Sequence, residues 1–342
     1  MSINRRDILK IAGAVSVVGI TPSLARAQVA GIEKPSVTIA VGGQALVYYL
    51  PLSIAQLKGF YKEEGVDVKI VDFAGGSKAL QAVVGGSADV CSGAFEHTIS
   101  LQNRRQNYSA FVMQGRAPMI TLAVSKKNMP DYKSPADLKG KKIGVTAPGS
   151  STNMLVNFFL AQHGLKASDV SIIGIGAGTG AVNAVRSGQV DAISNVDPVI
   201  STLEHEGLLE VIVDTRKLED SEAIFGGPMP SSCLYASQKF IDDNPNTCQA
   251  LANAIIKADK WIQEASIEDI MDTVPEQYLL GNPEVYRRAL EASREALSPT
   301  GVIDEAGPQT ALNALDAYIE ELKAENIDLS KVWTDRFVKQ AS

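Results

Sequence analysis

From residue 66, VDVKIVDF alternates apolar and polar positions with the period of a half-buried strand. The preceding stretch, SIAQLKGFYKEE, spaces its apolar residues as a helix does. The same succession occurs twice. Residues 75–92 read GGSKALQAVVGGSADVCS and residues 177–194 read AGTGAVNAVRSGQVDAIS. Ala79 and Ala181, Gly86 and Gly188, Asp89 and Asp191, and Ser92 and Ser194 are each 102 positions apart. Upstream, a strand at Val37–Val41 corresponds to Lys142–Val145, a helix at Leu52–Tyr61 to Met154–His163, and a strand at Val66–Val71 to Val170–Ile175. Each half therefore reads strand, polar loop, helix, strand, Gly-rich loop, short helix, strand.

Two βαβαβ units predict two α/β lobes, each built on a right-handed parallel sheet. LYASQKF, after the loop IFGGPMPSSC, has the pattern of one more strand. From Pro245 the pattern turns helical, in CQALANAIIKADKWIQEA, PEVYRRALEASREAL and QTALNALDAYIEELKAE. The expected division is residues 36–125 for the first part of lobe 1, 126–219 for lobe 2, and 220–342 for the return to lobe 1 with its helical extension. The chain is expected to cross between lobes at Ser125–Met129 and back at Asp214–Phe225. Two crossings permit hinge closure.

The start of the chain changes the picture of where it works. Arg5-Arg6 and Lys10 precede the apolar run IAGAVSVVGI, and Ala25-Arg26-Ala27 follows it. This is the pattern of an export signal cleaved near Ala27, with a twin-arginine-like start. Its apolar run of about ten residues is too short to span a bilayer. Without residues 1–27 the net charge moves from −7 to −10, and apolar residues make up 45% of the whole chain. Such a chain buries a large core, and its acidity argues against nucleic acid as a partner. Three cysteines, Cys91, Cys233 and Cys248, allow one disulfide at most or buried free thiols.

In open α/β sheets, ligands bind beyond the carboxyl ends of the strands. Lobe 1 then offers Gly42–Tyr49, Ala74–Lys78 and Ser92–His97, and lobe 2 offers Ala147–Thr152, Gly176–Thr179 and Ser194–Asp197. From these loops the candidate contacts are Gln44, Tyr48, Tyr49, Gly76, Ser77, Ser92, Glu96, Ser150, Ser151, Thr152, Asn195 and Asp197. Arg116, after the strand SAFVMQ, is the candidate cation for an anionic ligand. Each has a plainer alternative. Tyr48 or Tyr49 suits the core, Asp197 before Pro198 suits a helix cap, one of the Ser150–Thr152 hydroxyls caps the next helix, and Arg116 suits the surface.

The loop AVTAPGSSTN lacks the Gly-Lys-Ser/Thr ending of a phosphate-binding loop. Gly176-Ala-Gly178-Thr-Gly180-Ala181 matches a dinucleotide pattern, but the acid expected about twenty residues on is missing. No nucleophile elbow or HExxH helix occurs, and Cys91 with His97 is the one Cys/His proximity. No catalytic residue, metal ligand or cofactor is assigned.

The signal-like start, GGQALVYYLPLSIAQLKGFYKEEGVDV, the turns GGSADV and SGQVDA, the APGSSTN loop and NVDP together resemble periplasmic substrate-binding proteins of ATP-binding-cassette (ABC) importers. The group resembled is the nitrate, sulfonate and taurine binders with their thiamine-pyrimidine-precursor relatives. The likeness spans residues 36–240 and extends loosely into the helical tail. It implies the two-lobed periplasmic-binding-protein fold, a monomer, and a small anion or zwitterion bound between lobes. It also implies a periplasmic location and delivery to a membrane permease driven by an ATPase. This chain departs from the sulfonate binders in carrying Asn195 where they commonly carry Trp. The alternatives on the same scaffold are a desulfinase-like hydrolase, a pyrimidine-precursor synthase, and a periplasmic ligand sensor.

Overall fold

The computed structural model describes residues 31–341. The export signal expected at residues 1–27 lies outside that range. The strands in chain order are β1 (Ser36–Val41), β2 (Asp67–Asp72), β3 (Val90–Ala94), β4 (Tyr108–Met113) and β5 (Ile120–Ser125). They continue with β6 (Lys142–Val145), β7 (Ser171–Gly174), β8 (Ala192–Val196), β9 (Leu209–Asp214) and β10 (Ser232–Ser237). They form two five-stranded sheets, ordered β2-β1-β3-β10-β4 and β7-β6-β8-β5-β9. In the first, β1 runs parallel to β2 and β3, while β10 is antiparallel to β3 and β4. In the second, β6 runs parallel to β7 and β8, while β5 is antiparallel to β8 and β9.

Each sheet is thus mixed, with one reversed strand in the same place. The expectation of purely parallel sheets is corrected accordingly. The first crossing is also displaced from Ser125–Met129 to residues 114–119, because β5 joins the second sheet. All six β5 residues are buried, and a position between β8 and β9 pairs both of its edges. The return runs from Thr215 to Ser231 and contains the helix Leu218–Phe225.

The repeat has a structural cause. The Asp89 carboxylate accepts from the Thr38 backbone N–H at 2.9 Å, and the Asp191 carboxylate accepts from that of Lys142 at 2.8 Å. Each aspartate ties the start of its lobe's third strand to its first. Gly86 and Gly188 turn the chain at φ +77° and +79°, where a side chain is disfavoured.

The helical tail joins the lobes. Helix Pro245–Glu264 packs on the first-lobe helices Leu50–Leu57 and Phe60–Glu63. Helix Pro283–Ser293 lies against second-lobe helix Val199–His205 and touches residues 47–49. Helix Gly307–Asp316 touches Glu96–Asn103 of the first lobe and Ser151–Gln162 of the second. The helix expected to continue to residue 325 ends at Asp316, and nothing in the sequence explains why. Among the described residues, no helix is long and apolar enough to cross a membrane.

Candidate functional site

The carboxyl ends of both sets of parallel strands point at one seam, and the two rims touch there. The Val47 N–H donates to the Asp197 carbonyl at 3.0 Å. The Ser77 N–H donates to Ser150 Oγ at 3.0 Å, and Ser77 Oγ donates to the Pro148 carbonyl at 2.9 Å. His97 Nε2 lies 3.3 Å from the Gly149 carbonyl, which can only accept, so this nitrogen carries the proton. Nδ1 then accepts from the Tyr235 hydroxyl at 3.2 Å. Burial keeps the His97 ring neutral, with its pKa lowered to about 4.

The closeness of the rims depends on two glycines. A Cβ on Gly75 would sit 2.8 Å from that of Ala147, and one on Gly43 would sit 2.5 Å from that of Ala177.

Several candidates gather at this seam. Tyr48 and Tyr49 are buried and meet edge to face, with ring centroids 4.7 Å apart. Burial pushes both phenols well up, and the Ser151 side chain, opposite Tyr48, opposes that rise. Gly76 lies beside the Tyr49 hydroxyl, the His97 ring and Ser150 Oγ. Ser92 is buried in β3 and accepts from Gln114 Nε2 at 2.9 Å. Glu96 opens the helix Glu96–Asn103, is 3% exposed, and leaves Oε1 without a partner. Burial raises its pKa to about 7.

Five candidates are placed otherwise. Gln44 turns along its own lobe to Gln56, at 3.2 Å. Arg116 is exposed on the first crossing, where its Nε donates to the Glu295 carbonyl at 2.9 Å. Thr152 Oγ1 accepts from the Thr146 N–H at 3.1 Å and bonds its hydroxyl, which fixes the loop ahead of the helix. Asn195 spends its amide on the Gly176 carbonyl at 3.1 Å and the Val196 N–H at 2.9 Å. The Asp197 carboxylate accepts from the Ser201 N–H at 2.8 Å and faces Arg216, so it caps and anchors its helix. Burial raises the Asp197 pKa, and Arg216 opposes that rise. These residues shape the walls, and only the Asp197 backbone carbonyl reaches across the seam.

Sequence reasoning missed Gln114 and Gly75. Gln114 directly follows β4 and has an unpartnered Oε1. The strand-end rule used for the other loops reaches it too. Gly75 carried no signal, because its role depends on Ala147 in the opposite lobe. The three cysteines are free and buried, and burial pushes the Cys91 thiol up to about 12. His97 bonds Tyr235 and Gly149, so the Cys91/His97 proximity is not an activated nucleophile.

A cavity of about 350 Å³ opens beside the seam, lined by Ser77, Glu96, Ser150, Asn153, Met154 and Tyr318 among others. Among the described residues, no group of three or more His, Cys, Asp and Glu side chains could hold a metal ion.

Two mixed five-stranded sheets facing one seam define the periplasmic-binding-protein fold. The alkanesulfonate-binding protein SsuA of Xanthomonas axonopodis pv. citri, solved bound to MOPS, shares it at TM-score 0.69 and 19% identity, over 89% of this chain and 99% of that one. A family model described as NMT1-like matches residues 30–274, and the chain belongs to that family. A solved structure from Bordetella bronchiseptica RB50 is 65% identical, with TM-score 0.90 over 91% of this chain and 98% of that one. YtlA of Bacillus subtilis (strain 168), whose name makes it a candidate binding protein, is 24% identical over 76% of each chain. A 4-amino-5-hydroxymethyl-2-methylpyrimidine phosphate synthase of Aspergillus parasiticus is 25% identical over 75% of each.

Proposed function

We propose that this chain is the extracytoplasmic solute-binding component of an ABC importer. It holds a small organic or inorganic anion or zwitterion between its lobes and presents the closed form to a membrane permease. The observation that carries this reading is the seam. Both rims supply hydrogen bonds across it, while Glu96 keeps an unpartnered oxygen in the cavity beside it. A buried polar atom without a partner costs about 1–3 kcal/mol, so a ligand that satisfies it favours the closed state.

The pyrimidine-precursor synthase relative supports a second reading, an enzyme on the same scaffold. The inert Cys91 thiol and the fully bonded His97 favour binding over turnover. A periplasmic sensor would use the same closure, and isolating the membrane partner separates it from an importer.

The test is small-angle scattering of the protein with and without solutes that raise its melting temperature, with each solute assayed for conversion. Compaction without conversion is expected. Gly75→Ala, which places a methyl against Ala147 while leaving each lobe intact, should abolish the compaction. Turnover of a stabilising solute overturns the transport reading.

A further inference from the structure

The two crossings are bonded to each other at both ends. At the first-lobe end, the Gln114 and Gly115 N–H groups donate to the Ser232 carbonyl at 2.7 and 3.1 Å. At the second-lobe end, the Met119 N–H donates to the Thr215 carbonyl at 3.1 Å, and the Thr215 N–H to the Ile120 carbonyl at 3.0 Å. The first crossing also pairs with a third segment. The tail chain just beyond helix Pro283–Ser293 runs antiparallel to it, with Leu297 opposite Gly115. The Arg116 N–H donates to the Ala296 carbonyl at 2.8 Å, and the Ser298 N–H to the Gln114 carbonyl at 2.9 Å.

Glu295 holds both crossings. Its carbonyl accepts from Arg116 Nε at 2.9 Å, and its side-chain Oε1 accepts from the Leu218 N–H at 3.1 Å. Leu218 opens the helix of the return crossing, and Lys217 before it supplies no side-chain cap. The Glu295 carboxylate takes that capping role from another part of the chain, at the helix end where a negative charge is favoured. The tail helix leading into Glu295 packs on second-lobe helix Val199–His205 and touches residues 47–49. One piece of tail therefore connects the rim contact between Val47 and Asp197 to the hinge. All of these bonds are made with the rims together. A rotation that parts the rims displaces the two crossings and the tail helix relative to one another, and Glu295 joins all three.

We infer that residues 295–298 are a third hinge segment, which biases the lobes toward the closed setting before any solute binds, with Glu295 as the positioning residue. The inference rests on the solute-binding reading of the cleft and adds its regulation. Glu295 is exposed and is not one of the residues lining the cavity beside the seam. It acts on affinity only through the fraction of chains already closed.

The test is the distance between lobes, measured by double electron–electron resonance on the full chain refolded from urea to remove carried solute. Labels go on Lys62→Cys in lobe 1 and Gln189→Cys in lobe 2, both exposed positions, while the three native thiols are buried. The wild type should show a short and a long distance. Glu295→Ala should lower the short-to-long ratio about fivefold, the scale of one helix cap. Glu295→Gln, which keeps the acceptor and loses the charge, should fall between the two. Ser237→Ala is the control, with circular dichroism to check that each variant folds. It removes the cap that Ser237 Oγ gives the Phe240 N–H at 3.2 Å, at the end of β10 remote from the crossings, and should leave the ratio unchanged.

An equal ratio in wild type and Glu295→Ala, a wild type at the long distance alone, or the same fall in Ser237→Ala would each overturn the inference. The solute-binding reading survives those results if a solute that raises the melting temperature still draws the labels together. A single distance that neither such a solute nor any substitution moves overturns the solute-binding reading itself.

Discussion

The two lobes share one scaffold and differ in what they carry to the seam. Asp89 and Asp191 make the same strand-to-strand bond, and Gly86 and Gly188 make the same turn. The first rim brings Tyr48, Tyr49, Glu96 and His97, with two phenols, a carboxyl and an imidazole, all buried. The second brings glycines, backbone carbonyls and hydroxyls, and its charged cluster sits behind the rim. There Arg216 is paired with Asp197, Glu204 and Asp214 at 3.4, 2.9 and 2.6 Å. The first rim therefore carries the titratable and aromatic groups of the seam, and the second meets it with backbone and hydroxyls.

Removing the support behind the second rim should have the largest effect. Arg216→Met strands Asp197, which is fully buried. Breaking a buried pair in this way costs about 3–5 kcal/mol, to be read from urea unfolding at neutral pH. The first rim is tested next, by pH. The folded-state pKa of Glu96 is raised to about 7 from an ordinary 4.5. Its contribution is fully present below pH 4.5 and is lost as pH rises through 7. Glu96→Gln should escape that loss, so its stability relative to wild type should grow by about 3 kcal/mol between pH 4.5 and 8. A flat difference would place Glu96 in contact with water. The shared scaffold should give the smallest effect. Asp89→Ala and Asp191→Ala each remove a charge-assisted bond to a partly exposed N–H and should each cost about 1 kcal/mol. A large inequality between them would mean that the lobes are not built alike.

Much of this was legible in the chain. The offset shared by Asp89 and Asp191 gave away the duplicated scaffold, because the same bond requires the same residue in each copy. The rim loops followed from the rule that ligands lie beyond strand ends, and Tyr48, Tyr49, Gly76, Ser77, Glu96, Ser150 and Ser151 lie at the seam. The side chains of Gln44, Arg116, Thr152, Asn195 and Asp197 turn away from the seam for a common reason. Each stands in or beside a rim loop, at a position that faces either the cleft or its own lobe, and a nearby partner settles which. For Arg116 that partner is the carbonyl of Glu295, far away in sequence. The sheet membership of β5 was equally out of reach. A largely apolar strand announces that it is central but not which sheet it enters.

The placement of β5 and β10 has a consequence for how the chain is made. Every strand of the second sheet lies between residues 120 and 214, whereas the first sheet needs β10, which ends at Ser237. On a growing chain, the sheet encoded later can close before the one encoded first. Until then, β3 and β4 wait with an unfilled slot between them. An edge strand offered by another chain could occupy that slot, which makes the interval before Ser237 the vulnerable period of synthesis.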